Sequence, residues 1–442
     1  VLALAVVAAI ALKLFIDPND YRDDIATAVE DATGRSLTIE GDLSLQVFPV
    51  LGVRLGPVEL SNPPAFEEQR FLRVENAAVS VRLLPLIFRQ ELAVGVVELK
   101  GLDLGLIALE NGRTNFGMGG PAAESGAGKA GDDAPAEPPA DAGPGLQGLD
   151  VAGIDISGRI AYRDEATGET IEVTNLELSA GSIVDGKPFA LEAKLNVSGL
   201  APDTDVRLDL LSDATLDLAA QTVALSGTDM KLAVTSPEVP GGSADINLSL
   251  ADVRDLGAET FSFAGLAMQL RAAGISLSVN GNGAVTDSIP AIDGDLSVAP
   301  FSPRDLLQAL GEPPMETADP AVLNNVAVDA AFNVQGDTAE LNLFNVVLDD
   351  STGAGQFSLS SIENMSTELD LQFDTLDLDR YTAPTPENAG GQGGGGGGGA
   401  NDALDLPVED LRALDVSGRI GFDELSVADI TLKKLNMRIR AQ

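Results

Sequence analysis

Leu37-Thr38-Ile39-Glu40-Gly41-Asp42-Leu43-Ser44-Leu45-Gln46-Val47 is the stretch that decides the fold. One parity is apolar except at Gly41 and the other is polar throughout, the period-two pattern of a strand with one buried side. The alternation recurs in Val79/Val81/Leu83, Leu92/Val94/Val96, Leu102/Leu104/Leu106, Leu191/Ala193/Leu195/Val197 and Val206/Leu208/Leu210. It continues in Ile246/Leu248/Leu250, Ile275/Leu277/Val279, Val326/Val328/Ala330/Phe332/Val334 and Leu369/Leu371/Phe373. Turns rich in Gly, Asp and Asn separate many of these runs. The pattern predicts a mainly β protein, a long antiparallel sheet of roughly 28 strands with one apolar face.

Ahead of the strands, Val1 to Ile16 is apolar apart from Lys13. Leu2, Leu4, Val6, Val7, Ile10, Leu12, Leu14 and Phe15 predict a transmembrane anchor, with Lys13 reaching toward the interface. The run spans about 24 Å against a hydrocarbon core of about 30 Å, and with no initiator Met it predicts further residues upstream. Ala9-Ile10-Ala11 offers the rival reading of a signal-peptide cleavage site, but Leu12 to Ile16 stays apolar beyond it. Asn19 or Asp20 is positioned to cap an amphipathic helix over Tyr21 to Ala32, with Gly34 as its stop. A second short helix is expected near 303–310, after Ser302-Pro303 and before Gly311.

Composition shifts divide the chain into an anchor (1–16), a helix-plus-β unit (17–116), an acidic Gly/Ala/Pro linker (117–148), a main β region (149–382), a Gly-rich linker expected to be disordered (383–401) and a further, truncated β unit (402–442). Ile156-Ser157-Gly158-Arg159-Ile160 and Val416-Ser417-Gly418-Arg419-Ile420 mark repeated sheet units. Arg159 and Arg419 are expected to pair with carboxylates of the sheet.

The chain carries 68 Asp+Glu against 27 Lys+Arg, a formal charge of −41, which repels nucleic acid. It has no His and no Cys, which excludes triads, thiol nucleophiles, disulfides and Cys/His metal or haem sites. We therefore expect no enzyme, no cofactor and no metal. Acidic groups at Asp203/Asp205, Asp293/Asp295, Asp349-Asp350 and Asp374/Asp377/Asp379 lack the spacing of a calcium loop, and Gly393 to Gly399 lacks the Lys of a phosphate loop.

Several segments resemble one family. Phe15-Ile16-Asp17-Pro18-Asn19-Asp20-Tyr21, Thr33-Gly34-Arg35-Ser36-Leu37 through Leu45, Phe48-Pro49 and Gly52 to Gly56 look like the N-terminal region of the AsmA family. Val81-Arg82-Leu83-Leu84-Pro85-Leu86, Gly112-Arg113-Thr114-Asn115, Ala299 to Arg304, Glu316-Thr317-Ala318-Asp319-Pro320 and Leu376 to Tyr381 extend the likeness in family order. Phe116 followed by Gly departs from it. The resemblance implies an envelope protein of Gram-negative bacteria, held in the inner membrane by one N-terminal helix, with its bulk in the periplasm and a link to outer-membrane biogenesis. It also implies the architecture of bridge-like lipid transfer proteins, a curved sheet forming an apolar trough.

Phospholipid is then the expected partner, with outer-membrane or other envelope proteins beside it. Two tails of about sixteen carbons each cost on the order of 25 kcal/mol to expose to water, so a shelter of Leu, Ile and Val replaces that hydrocarbon usefully. The expected lining is Leu37, Ile39, Leu43, Leu45, Val79, Val81 and Leu83, then Leu191, Leu195, Leu208 and Leu210. It continues with Leu248, Ile275, Leu277, Val279, Val326, Val328, Phe332, Leu369 and Leu371. The alternatives are a scaffold for outer-membrane protein assembly that carries no lipid, or an ordinary sandwich that buries the same residues.

Overall fold

The computed structural model describes residues 17–46, 50–63, 66, 70–82, 94–116, 150–313, 315–361, 366–382, 416–428 and 430–440. The expected anchor 1–16, both linkers, Leu83 and Leu92 lie outside these residues. Among the described residues, no helix is long and apolar enough to cross a membrane. The chain divides into two compact units, Val1–Ser236 and Pro237–Gln442.

In the first unit, helix α1 (Arg22–Thr33) follows a 3-10 turn at Pro18–Tyr21. Neither Asn19 nor Asp20 caps it as expected: the α-helix has no side-chain cap, and it is the 3-10 turn that is capped, by Asp17 accepting the Asn19 amide at 2.9 Å. Asn19 is occupied elsewhere, accepting from the Leu43 amide at 2.9 Å and donating to the Leu43 carbonyl, while Arg22 donates to the Gly41 carbonyl at 2.7 Å. Gly34, at φ 68°, ends the helix as expected. These bonds dock the helix start against the first strands.

The stretch from Leu37 to Val47 is not one strand but two, β1 (Leu37–Ile39) and β2 (Ser44–Gln46). Gly41 lies so close to Gly56 that a Cβ on either would fall 2.5 to 2.6 Å from the other's Cα. Neighbouring strands bend at the same level. The next runs are β3 (Val50–Leu55) with β4 (Val58–Ser61), then β5 (Arg70–Val74) with β6 (Asn76–Arg82) around Glu75. Beside Glu75 the long strand β7 (Val94–Ala108) carries a bulge at Gly101, φ 67°.

β7 pairs in parallel with β8 (Asp150–Asp164), a departure from the antiparallel expectation. A parallel partner requires the chain to travel back the length of a strand, so alternation alone does not reveal it. From β8 the sheet is an antiparallel meander through β9 (Thr170–Ala180), β11 (Pro188–Ser198), β12 (Asp205–Asp217) and β13 (Thr222–Thr235), with the short β10 (Ile183–Val184) paired to β8.

The second unit repeats the plan. Strands β14 (Ser243–Leu256), β15 (Thr260–Ala272), β16 (Ile275–Thr286), β17 (Ile289–Phe301), β18 (Val326–Gln335), β19 (Thr338–Leu348), β20 (Ser351–Ser361) and β21 (Ser366–Asp377) pair in antiparallel succession. Helix α2 (Pro303–Ala309), capped by Ser302, sits between β17 and β18. β21 then pairs in parallel with β22 (Val416–Val427), which pairs antiparallel with β23 (Ile430–Ile439). The two Ser-Gly-Arg-Ile copies thus mark the two parallel junctions.

Candidate functional site

Cross-strand partners share a face, so the register determines what each unit presents. In the first unit Leu37, Leu60, Leu72, Leu104, Ile160, Val173, Val197, Val206 and Val234 form a row of partners. A second row joins Leu45, Val53, Val79, Val97 and Ile154. Bulges, one of them at Asn175 (φ 50°), restore the apolar parity where the sequence slips by one.

In the second unit the row runs Ile246, Leu270, Leu277, Val298, Val328, Val346, Gly353, Phe373, Phe422 and Leu435. Beside it Leu248, Met268, Val279, Leu296 and Ala330 form another. The alternate positions are polar, as in Asn247, Gln269, Ser278, Ser297, Asp329 and Asn345.

Burial separates this arrangement from a sandwich. Of the expected lining positions, Ile39 and Leu43 are buried, Val79 is 48% exposed and the other described ones are only partly buried. A sandwich core would hold such Leu and Val side chains almost dry. Among the described residues, the largest fully buried side chains are Val322 and Asn115, both outside the strands. One end of the first unit's face is closed, where Val151, Ile183, Phe189 and Ala214 pack with Ile154 and Leu191. Ser212 and Thr228, both buried beside it, bond to each other at 2.8 Å.

The polar face carries a ladder of alternating charge. Glu59, Arg73, Asp103 and Arg159 are successive cross-strand partners. Arg73 bonds Glu75 at 2.9 Å, Glu59 and Glu40, which holds its guanidinium well above the ordinary value. Arg159 grips Asp103 through two bonds of 2.9 and 3.0 Å, and Arg419 bonds Asp370 at the matching place in the second unit. Both arginines pair with carboxylates, as expected. Each such exposed pair stabilises by about 0.2–1 kcal/mol.

The other motifs resolve into two polar knots. Asn115, at 0% exposure, accepts from the Ile107 amide at 2.7 Å and donates to the Gly105 carbonyl and Asn62 at 2.8 Å. Arg35 donates to the Asn115 carbonyl and covers the Phe71 ring at 4.0 Å. Nothing in the local pattern signals Asn62 as a partner, because it stands 53 residues from Asn115. Asn115→Ala leaves buried donors and acceptors unpaired and lowers unfolding free energy by about 3 kcal/mol, read by urea denaturation.

In the second unit Arg304 donates to the carbonyls of Val322 at 2.8 Å and Met315 at 2.9 Å, and to Thr317. Arg380 bonds Asp319 and Asp350, each at 2.8 Å. Asp349 accepts from the amides of Leu323, Asn324 and Asn325 and from the Tyr381 hydroxyl at 2.8 Å. Burial pushes the Asp349 carboxyl up, but those donors outweigh it and hold it below 3.8. Its contribution is therefore complete above the unfolded value and lost as pH falls through the depressed folded one. Urea midpoints from about pH 6 down to about pH 3 fall, and fall less steeply in Asp349→Asn. Among the described residues, no group of three carboxylates could hold a metal ion.

Two sheet units, each with an apolar face whose side chains are for the most part only partly buried, define a class of large, mainly β protein. The chain belongs to the AsmA family, whose sequence profile matches residues 1–298. It is 37% identical over 91 residues to Protein AsmA of Escherichia coli (strain K12), a match covering 21% of this chain and 14% of that relative. No solved structure matches it. AsmA proteins are envelope proteins with outer-membrane-related roles.

Proposed function

We propose that this chain shelters and conducts phospholipid acyl chains along its apolar faces, between the membranes of the envelope, in support of outer-membrane assembly. The continuous, partly open rows of Leu, Val, Ile and Phe support this reading most directly. Aliphatic side chains suit sliding tails, because uniform contact creates no strong local well, whereas inward polar groups would trap them. The partly buried state of these side chains leaves apolar area for a tail to cover at about 25 cal/mol per Å². Residues 1–16 supply the inner-membrane anchor in this reading, the strands lie in the periplasm, and the protein performs no bond chemistry.

Native mass spectrometry of the detergent-free periplasmic region tests it, together with photo-crosslinking from Leu208, which sits in the row with Leu195 and Leu232. Co-purifying phospholipid and a crosslink to its tails are expected. A protein that stays empty and crosslinks only to polypeptide would favour a scaffold that assists outer-membrane protein assembly.

A further inference from the structure

In the second unit three phenylalanines of the apolar face each stand directly across from a glycine of the neighbouring strand. Phe263 pairs with Gly283, Phe332 with Gly294 and Phe373 with Gly353. Gly283 follows Leu277 and Val279 at even spacing, Gly294 precedes Leu296 and Val298 in the same way, and Gly353 lies in the row of Val328 and Val346.

A strand side chain ordinarily stands off the sheet and fills about half of the ~10 Å between packed layers. These rings instead reach over the facing glycine. A Cβ at Gly353 would fall 2.6 and 2.7 Å from two carbons of the Phe373 ring, and one at Gly283 or Gly294 would fall 2.9 Å from Cζ of Phe263 or Phe332. All are far inside the ordinary carbon–carbon contact of about 3.5–4.0 Å. Gly353 is the clearest case. The remaining close neighbour of its Cβ is Val346 Cγ1 at 2.9 Å, and its φ is not positive, so side chains and not the backbone call for glycine. Gly353 is buried, whereas Phe373 and Leu371 are only partly so. On the other side of Phe373 the buried Phe422 stacks with ring centroids 5.6 Å apart, so a displaced Phe373 ring has only the outward direction open.

We infer that these glycines are positioning residues of the acyl-chain face: each receives the ring of the facing phenylalanine and keeps it low, so that a tail passes over it. The inference rests on the reading that tails occupy these rows. An upright ring would form a step among Leu and Val side chains, and a tail crossing it would lose contact on both sides.

The test places a photo-reactive benzoylphenylalanine at Leu371, two residues from Phe373 on the same face, or at Leu208 in the first unit, of the 442-residue chain. The protein is mixed with vesicles of phosphatidylethanolamine and phosphatidylglycerol, and crosslinks to acyl chains are measured from both positions. Gly353→Ala is expected to lower the crosslink from Leu371 about tenfold and to leave that from Leu208 unchanged. Gly353→Ala with Phe373→Ala regains it, because no ring is left to be raised. Where urea denaturation shows Gly353→Ala unfolded, Phe373→Trp against Phe373→Leu decides: the indole is too large for the glycine's space and lowers the crosslink, and the leucine keeps it. An undiminished crosslink in folded Gly353→Ala overturns the inference alone, as does loss that the double variant does not reverse, or equal crosslinking by the Trp and Leu variants. Absence of any acyl crosslink from either position in the unsubstituted protein overturns the acyl-chain reading and this inference with it.

Discussion

Leu277→Asp empties the second unit of acyl chains. Leu277 stands mid-row between Leu270 and Val298, so a carboxylate there faces the hydrocarbon of any occupant. Placing an ionised group against a tail costs at least about 3 kcal/mol, which lowers bound phospholipid by about a hundredfold in native mass spectrometry. Val328→Asp, two strands along the same row, does the same. Ser278→Asp, on the opposite face beside Gln269 and Ser297, retains lipid. Asp42→Asn serves as a second control, because its side chain is 97% exposed. Glu40 is a poorer control, since it bonds Arg73. Equal loss from both faces would refute one-sided lining.

Gly418→Ala and Gly158→Ala disrupt the parallel junctions. A Cβ on Gly418 would fall 1.8 Å from the Leu369 carbonyl oxygen, and one on Gly158 would fall 2.1 Å from that of Leu102. Backbone must move in either case, so each variant loses about 3 kcal/mol or more in urea denaturation. Gly34→Ala isolates the cost of a left-handed conformation alone, because its φ is 68° with open space around it; it loses about 1 kcal/mol. Arg419→Ala loses about 1 kcal/mol or less, since its pair with Asp370 is exposed. If Gly418→Ala matched Gly34→Ala, close strand approach would not be what holds the junction.

Alternation made the strands and their apolar parity legible, because successive residues of a strand point to opposite sides and each strand is polar on one side and apolar on the other. Leu195, Leu208, Leu277 and Val328 all fall on the face their spacing predicts. Helix boundaries near Gly34 and Ser302-Pro303 were legible for the same reason, since capping chemistry is local. The bend at Gly41 was visible only as a gap in the pattern; its cause lies in Gly56, in the bend between β3 and β4. Parallel pairing of β7 with β8 joins residues more than 50 apart, and no period in sequence encodes such a return. Asn115 stood out only as part of a family-like motif, and its structural role stayed silent, because that role arises from Asn62, which only folding brings beside it.

Each parallel junction lets a new meander begin beside the last strand of the old one, with the same Gly-Arg step and the same carboxylate to receive it. Duplicating one meander with its return segment would therefore add strands in phase, their greasy and wetted sides already matched to those of the parent. Such a protein can be lengthened in whole modules during evolution without redesigning either flank. A single stray strand inserted at that step would instead send the chain out from the wrong end.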